Sequence, residues 1–213
     1  MKTVAFRTSV CAVALLAAGY SVSAQAAINA AYSMDSVGSL GDSRPFTLGF
    51  DFSLSSARTL NALGYTTVGF TADQSVGLWD SVGNLLVSTT VTPGDLQQGF
   101  FRWSNVSPLL LGPGQYTIGG TYNGGPFASS ASNVVYSPGY TWLTDRQELG
   151  AGLNRPTSST GGTYGTQGIP QVNLSFDGAV VPEPSVWAFL ILGFGAIGAT
   201  MRRTRIQSRV SFA

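Results

Sequence analysis

The sequence predicts an all-β fold: an antiparallel β-sandwich or jelly-roll-like domain over residues 27–180, with an N-terminal signal helix and a C-terminal transmembrane helix. Three observations predict the β domain. Apolar residues alternate with smaller or polar ones along several short segments, which is the period of a strand with one buried face. Turns rich in glycine and proline separate these segments. No segment of this region has the 3.6-residue apolar stripe of a helix, and many short strands favour a sandwich or a jelly roll.

The predicted strands follow one another from Phe46 onward. Alternation is clearest over residues 46–54 and 60–70. Two apolar segments flank the turn-forming stretch 80–84, so together they predict a hairpin. They are residues 76–79 and 85–91. Further strands are predicted at Phe101 and Trp103, over 116–122 and over 172–176, whereas the stretches 119–132 and 156–168 are expected to be loops.

The N-terminus has the three parts of a secretory signal peptide over residues 1–26. Lys2 and Arg7 precede an apolar run over residues 10–19, and small residues follow it at 22–26. A run of this length is too short for a permanent membrane span. We therefore expect export, with a mature chain that begins at Gln25 or Ala27.

Composition excludes several kinds of chemistry. Cys11 is the only cysteine and lies inside the apolar run, so the mature chain has no disulfide, thiol nucleophile or cysteine metal site. The sequence has no histidine, which removes the commonest general base. Six of the eleven basic residues lie at the two ends of the chain and all ten acidic residues lie between them, so the region between carries a net charge of about −5. A domain with this acidic balance is not expected to carry the basic patch that binds nucleic acid.

The C-terminal region predicts a membrane anchor. Two prolines flank Glu183 and keep that segment extended, because proline lacks an N–H and restricts the residue before it. The 16 residues 186–201 carry no charge. As a helix they span about 24 Å at ~1.5 Å per residue, slightly less than a ~30 Å hydrocarbon core. Trp187 at one end and arginines at the other can anchor such a helix at the two interfaces. Arginines stay cytoplasmic, which leaves residues 206–213 as a cytoplasmic extension.

This region resembles the PEP-CTERM sorting signal, in the subgroup with Pro-Glu-Pro followed by Trp-Ala. The resemblance covers roughly the last 30 residues, although residues 206–213 follow the arginines where family members usually stop. It implies a Gram-negative host and an exosortase, a membrane cysteine transpeptidase that cleaves near Pro-Glu-Pro. It also implies contact with inner-membrane lipid and an association with exopolysaccharide and biofilm. The matching residues are Pro182, Glu183, Pro184, Trp187, Ala188, Gly193, Phe194, Gly195, Arg202, Arg203 and Arg205.

Residues 46–122 also resemble a β-sandwich domain of unknown function found in PEP-CTERM proteins. The resemblance implies a fold and no activity. Its residues are 76–80, 83–86, 101–103 and 111–116.

Three functions fit these observations. The first is a non-enzymatic surface or extracellular-matrix protein, without cofactor or metal, tethered to the membrane until an exosortase acts. The second is a carbohydrate-binding module that uses Trp142 and Tyr140, which lie in an aromatic cluster interrupted by proline and glycine; core packing is the alternative for Trp142, as it is for Trp79 and Trp103. The third is a glycan hydrolase with paired carboxylates. It is the least favoured, because aspartates such as Asp80 lie beside turn glycines, where backbone hydrogen bonding is expected.

Overall fold

The computed structural model describes residues 28–160 and 168–176, together with Ile191 and Phe194. The strands belong to one compact unit, Ala26–Val180. They are β1 (Tyr32–Ser33), β2 (Ser36–Asp42), β3 (Phe46–Leu54), β4 (Arg58–Thr66), β5 (Gln74–Asp80), β6 (Leu85–Val91), β7 (Leu96–Gln98), β8 (Phe101–Leu111), β9 (Gly114–Tyr122), β10 (Gly125–Ser132), β11 (Val135–Tyr136), β12 (Tyr140–Leu149), β13 (Ser158–Ser159) and β14 (Val172–Phe176).

The strands form two principal antiparallel sheets, which confirms the predicted all-β class. The first has six strands in the order β13-β12-β3-β9-β5-β6, and the second has four in the order β14-β4-β8-β7. Two ribbons, β1–β11 and β2–β10, accompany them. The predicted hairpin is confirmed, because β5 and β6 pair from Gln74↔Val91 to Trp79↔Leu85 around the turn.

The two sheets share one hydrophobic core, so the fold is sandwich-like. Gly120 of β9 lies directly beneath the second sheet: a Cβ there would be 2.7 Å from Val172 Cγ1 and 2.9 Å from Tyr65 Cε2. Trp79 and Trp103 are 5% and 2% exposed, which confirms that both are buried. Trp103 belongs to this core, whereas Trp79 lies on the outer face of the six-stranded sheet beside Leu153. The other fully buried side chains of this core include Phe50, Phe52, Leu63, Leu78, Ile118, Leu174 and Phe176.

The outer face of the six-stranded sheet is partly covered as well, which the alternation in β3 did not predict. Thr47 points away from the core yet is fully buried. Its hydroxyl donates to the Gly152 carbonyl at 3.2 Å and accepts the Asn154 N–H at 3.0 Å. A Cβ on Gly119 would be 2.9 Å from Pro156 Cγ. The segment 150–157 therefore packs against this face.

Two predicted boundaries were wrong. The strand predicted over 60–70 ends at Thr66, where the chain bends. The loop predicted over 119–132 contains the end of β9 and the whole of β10. The small residues of β10 have no hydrophobic alternation of their own. The strand forms because it pairs with β2 and because Gln171 Oε1 accepts the Ala128 N–H at 2.9 Å.

The predicted terminal segments lie outside the described residues. These are the signal peptide 1–26, the sorting tail 181–205 with its transmembrane helix 186–201, and the extension 206–213, apart from Ile191 and Phe194, whose backbone is helical. Residues 161–167 of the predicted loop 156–168 are outside as well. In the part of the chain that the structure describes, no helix is long and apolar enough to cross a membrane.

Candidate functional site

The aromatic residues predicted as sugar contacts lie at the start of β12. The turn before this strand depends on Gly139, which has a φ of +76°, and a Cβ there would lie 2.9 Å from Ser55 Oγ. Only glycine adopts this conformation without strain. The turn directs the chain back along β3, so that Tyr140 pairs with Leu54 and Trp142 with Phe52.

A β-bulge then changes the alternation of β12. The register shifts between Trp142 and Thr144, so the extra residue Leu143 points outward and is 43% exposed. Beyond the bulge, Asp145 pairs with Phe50. Bulges re-aim side chains in this way. As a result Trp142 and Asp145, three residues apart, lie on the same core-facing side of the sheet.

Trp142 and Tyr140 pack within the domain rather than presenting a sugar platform. The Trp142 ring stacks on Phe50 with a centroid separation of 3.6 Å, and meets Tyr32 edge-on at 5.4 Å. Tyr140 is only 5% exposed and stacks on Phe52 at 5.2 Å. Stacking on a sugar requires an open aromatic face, and burial leaves Tyr140 none. Trp142 is partly buried and packs against the core, as its core-packing alternative predicts.

Asp145 is the carboxylate of this cluster. Burial raises its pKa, while hydrogen bonds from the Ile169 N–H, at 3.2 Å, and from the Trp142 side chain partly oppose the rise. Gly168 closes over it: a Cβ at that position, where φ is +63°, would be 2.1 Å from Asp145 Oδ1. Asp145 is therefore enclosed by backbone and aromatic rings, with its charged form disfavoured.

Tyr136 is the member of the cluster that reaches solvent. Its side chain is 38% exposed and stacks on Tyr140 at a centroid distance of 5.9 Å. Burial and the nearby Asp145 raise its pKa. The sequence placed Tyr136 in the same aromatic run but gave no sign of which ring would be outermost. Among the described residues of the β domain it is the one large aromatic side chain that is exposed.

The carboxylates that a hydrolase would need form local structural contacts. The Asn84 side chain donates to Asp80 Oδ2 at 2.8 Å, and Asp80 Oδ1 accepts the N–H groups of Val82, Gly83 and Asn84 at 3.0, 2.8 and 2.8 Å. The Asn84 side chain first, and the backbone N–H groups with it, lower the Asp80 pKa, and together they close the hairpin turn. The Asp42 pKa falls to about 2, chiefly because Arg44 binds its carboxylate at 2.7 Å.

Asp51 lies on the opposite face of the six-stranded sheet from Asp145, because its neighbour Phe50 is the residue that pairs with Asp145. It binds Arg146 Nε and Thr117 Oγ1, both at 2.7 Å. The two carboxylates therefore cannot flank one glycosidic bond, as a glycoside hydrolase requires. Within residues 28–160 and 168–176, no group of three or more metal-ligating acidic side chains comes together.

The sorting residues Pro182, Glu183, Pro184, Trp187, Ala188, Arg202, Arg203 and Arg205 lie outside the described residues. Comparison of the chain with family models, with curated proteins and with solved structures gave no match. Two resemblances therefore remain predictions: that of the tail to the PEP-CTERM signal, and that of residues 46–122 to a β-sandwich domain.

Proposed function

We propose that this chain is an exported, non-enzymatic surface or extracellular-matrix protein that a PEP-CTERM tail holds in the inner membrane until an exosortase processes it. One observation carries the proposal: a Pro182-Glu183-Pro184 motif, an uncharged stretch and an arginine cluster follow one another in that order in the C-terminal part of the sequence. The β domain faces the periplasm while the tail is anchored, and then reaches the cell surface or the extracellular space. Exopolysaccharide is the candidate partner there.

The backbone of the tail explains where the Pro-Glu-Pro motif would lie and why a protease could cleave it. Residues 186–201 insert as a helix, and the arginines that follow hold its end in the cytoplasm, so Pro182-Glu183-Pro184 lies at the outer face of the membrane. An extended segment enters a protease cleft directly, whereas a helix would first have to unwind.

The β domain supports a structural or adhesive role over the other two functions. A hydrolase would need two carboxylates across one cleft, whereas the carboxylates of Asp42, Asp51 and Asp80 close turns or bind arginines. A carbohydrate-binding module would need open aromatic faces, and the rings of Trp142 and Tyr140 are packed. We also infer a jelly-roll-like β-sandwich, which the nested pairs β3–β9 and β4–β8 support.

The test replaces Pro182, Glu183 and Pro184 together with alanine and follows the protein by fractionation with an antibody against the β domain. We expect the variant to insert normally but to accumulate in the membrane at full length. Ser185→Ala, one residue beyond the motif, is the matched control and should be processed like the parent protein. If the triple variant appears outside the cell at its processed mass, the sorting proposal is wrong.

A second variant separates anchoring from cleavage. Replacing Arg202, Arg203 and Arg205 removes the topological signal and about 1 kcal/mol per residue of attraction to anionic lipid. We expect this variant to be poorly retained in the membrane, whereas Thr204→Ala should be retained. Equal retention of the two would show that the arginines do not anchor the tail.

A further inference from the structure

Strand β6 forms an open edge of the six-stranded sheet. It pairs with β5 on one side and ends the strand order on the other. Its sequence, Leu-Leu-Val-Ser-Thr-Thr-Val, contains no charge, proline or glycine. Natural edge strands are usually protected from pairing with another chain by charges, by proline or by bulges, and of these β6 has only the register shift at Leu86. Leu85 is 51% exposed and Leu86 37%, and Ser88 and Thr90 are exposed as well.

The core-facing side of β6 is covered, whereas its outer edge carries no further strand in the described part of the chain. Thr89 Oγ1 and Ser104 Oγ of β8 are 3.2 Å apart across the sandwich. Beyond β5, no other described strand forms a ladder with β6. Alternate N–H and C=O groups along this edge therefore point away from the sheet, as in any edge strand.

The other ends of the two principal sheets are short or occupied. Strands β13 and β7 have two and three residues. The edge of β14 is hydrogen-bonded by the chain ahead of β1, through Ala31 N–H to the Leu174 carbonyl at 2.7 Å and Phe176 N–H to the Asn29 carbonyl at 3.0 Å. Of the four strands that end the two principal sheets, β6 is therefore the long one that remains open.

We propose that β6 pairs with β6 of a second copy of this chain, antiparallel and about a two-fold axis at Ser88. The pairing of β6 with β5 shifts register at Leu86, so Leu85 lies on the outer face with its partner Trp79, whereas Val91 faces the core. An axis at Ser88, the middle residue of the strand, therefore pairs residues 86–90. Leu86 then faces Thr90 of the second copy, Val87 faces Thr89 and the two Ser88 residues face each other. The two six-stranded sheets become one continuous sheet, and each strand supplies the same surface, as two-fold symmetry demands.

Charges at the ends of β6 complement each other in this register. Arg155 lies beside the hairpin turn, where it donates to the Ser81 carbonyl at 3.2 Å, and among the described residues it has no carboxylate partner. Asp95 lies at the other end of β6, where its Oδ2 accepts the Thr92 N–H at 2.8 Å. Pairing centred on Ser88 brings the Thr92 end of one strand to the hairpin turn of the other, which Arg155 covers. Two Asp95–Arg155 contacts, related by the two-fold axis, would follow.

Disulfide trapping in the full-length chain, purified in mild detergent with Cys11→Ser as background, tests the register. In Ser88→Cys the two thiols face each other at the ~4.5–5.5 Å separation of a directly opposed pair, which a disulfide can bridge. In the matched control, Thr90→Cys, the two thiols are four residues apart along the ladder, roughly 13 Å. We expect Ser88→Cys to form the covalent dimer at least tenfold faster than Thr90→Cys during mild oxidation.

A charge variant tests the association without a disulfide. Ser88→Lys places two like charges opposite each other and should raise the dimer dissociation constant at least tenfold in sedimentation measurements. Leu110→Lys, at a residue of β8 that is 71% exposed, should leave it unchanged. Equal trapping of Ser88→Cys and Thr90→Cys, or a dimer population that Ser88→Lys does not reduce, would overturn the proposal.

Discussion

Replacing Trp142 with alanine tests whether this residue holds the domain together or binds a ligand. The ring makes two aromatic contacts, with Phe50 and Tyr32, and each such pair contributes about 0.5–1.5 kcal/mol beyond burial. Truncation of a fully buried tryptophan lowers the free energy of unfolding by roughly 3–5 kcal/mol. Because Trp142 is only partly buried, we expect a loss of about 3 kcal/mol, equivalent to a fall in Tm of roughly 6–12 °C for a chain of this size.

Urea unfolding followed by far-UV circular dichroism measures the loss, with exopolysaccharide binding measured on the same samples. Trp142→Phe keeps the stacking on Phe50 but removes the indole N–H that binds Asp145, so about 1 kcal/mol should be lost. Leu143→Ala, at the exposed bulge residue next to it, should change stability by less than about 0.5 kcal/mol. A loss below about 1 kcal/mol in Trp142→Ala, with weaker polysaccharide binding, would refute the packing argument.

Two further predictions follow from the same structure. Folding raises the Asp145 pKa above its ordinary value of 3.8, so at pH values between the two the native state keeps a proton that the unfolded chain has released. The free energy of unfolding therefore falls as the pH rises through that interval. Asp145→Asn should remove this dependence when Tm is measured against pH, and a pH profile identical to that of the parent protein would contradict the prediction. Gly119→Ala should lower the free energy of unfolding by about 1–3 kcal/mol, since its Cβ would lie 2.8 Å from a Thr47 methyl group. Gly49→Ala should lower the free energy of unfolding further, because its Cβ would lie 1.9 Å from the Ile118 carbonyl oxygen. Gly112→Ala is the control, since no atom lies within 4 Å of the added Cβ, and it should have no comparable effect.

The parts of the fold that could be predicted are those with local signals. The alternation in β3 gave its range, and the turn residues 80–84 gave the hairpin β5–β6, because both depend on neighbours in sequence. Strand β10 was missed because its partner, β2, lies about ninety residues earlier, as in the pair Ala128↔Ser39. Burial of Thr47 was missed for the same reason, since the covering segment 150–157 is a distant part of the chain.

The candidate site shows the same limit. Tyr136, Tyr140 and Trp142 were recognisable as an aromatic cluster from composition alone. Which of them reaches solvent depends on the bulge after Trp142 and on the pairing of Tyr32 with Tyr136. Neither feature can be recognised from the local sequence. The structural role of Asp80 was predictable, because an aspartate at a glycine turn binds backbone N–H groups.

The nested strand pairs have a consequence for how the domain folds. β3 pairs with β9 through contacts that join residues sixty or more positions apart, from Leu54↔Gly114 to Phe46↔Tyr122, and β4 with β8 lies inside that pair. Closing such large loops before any contact is gained slows folding, and domains of this kind fold in milliseconds to seconds. The hairpins β7–β8 and β5–β6 close the smallest loops of this nest, so we expect structure to start there and grow outward. During synthesis β3 would therefore stay unpaired until β9 has been made. A chain that ends before residue 114 would lack β9, the strand that pairs with β3 in the middle of the sheet.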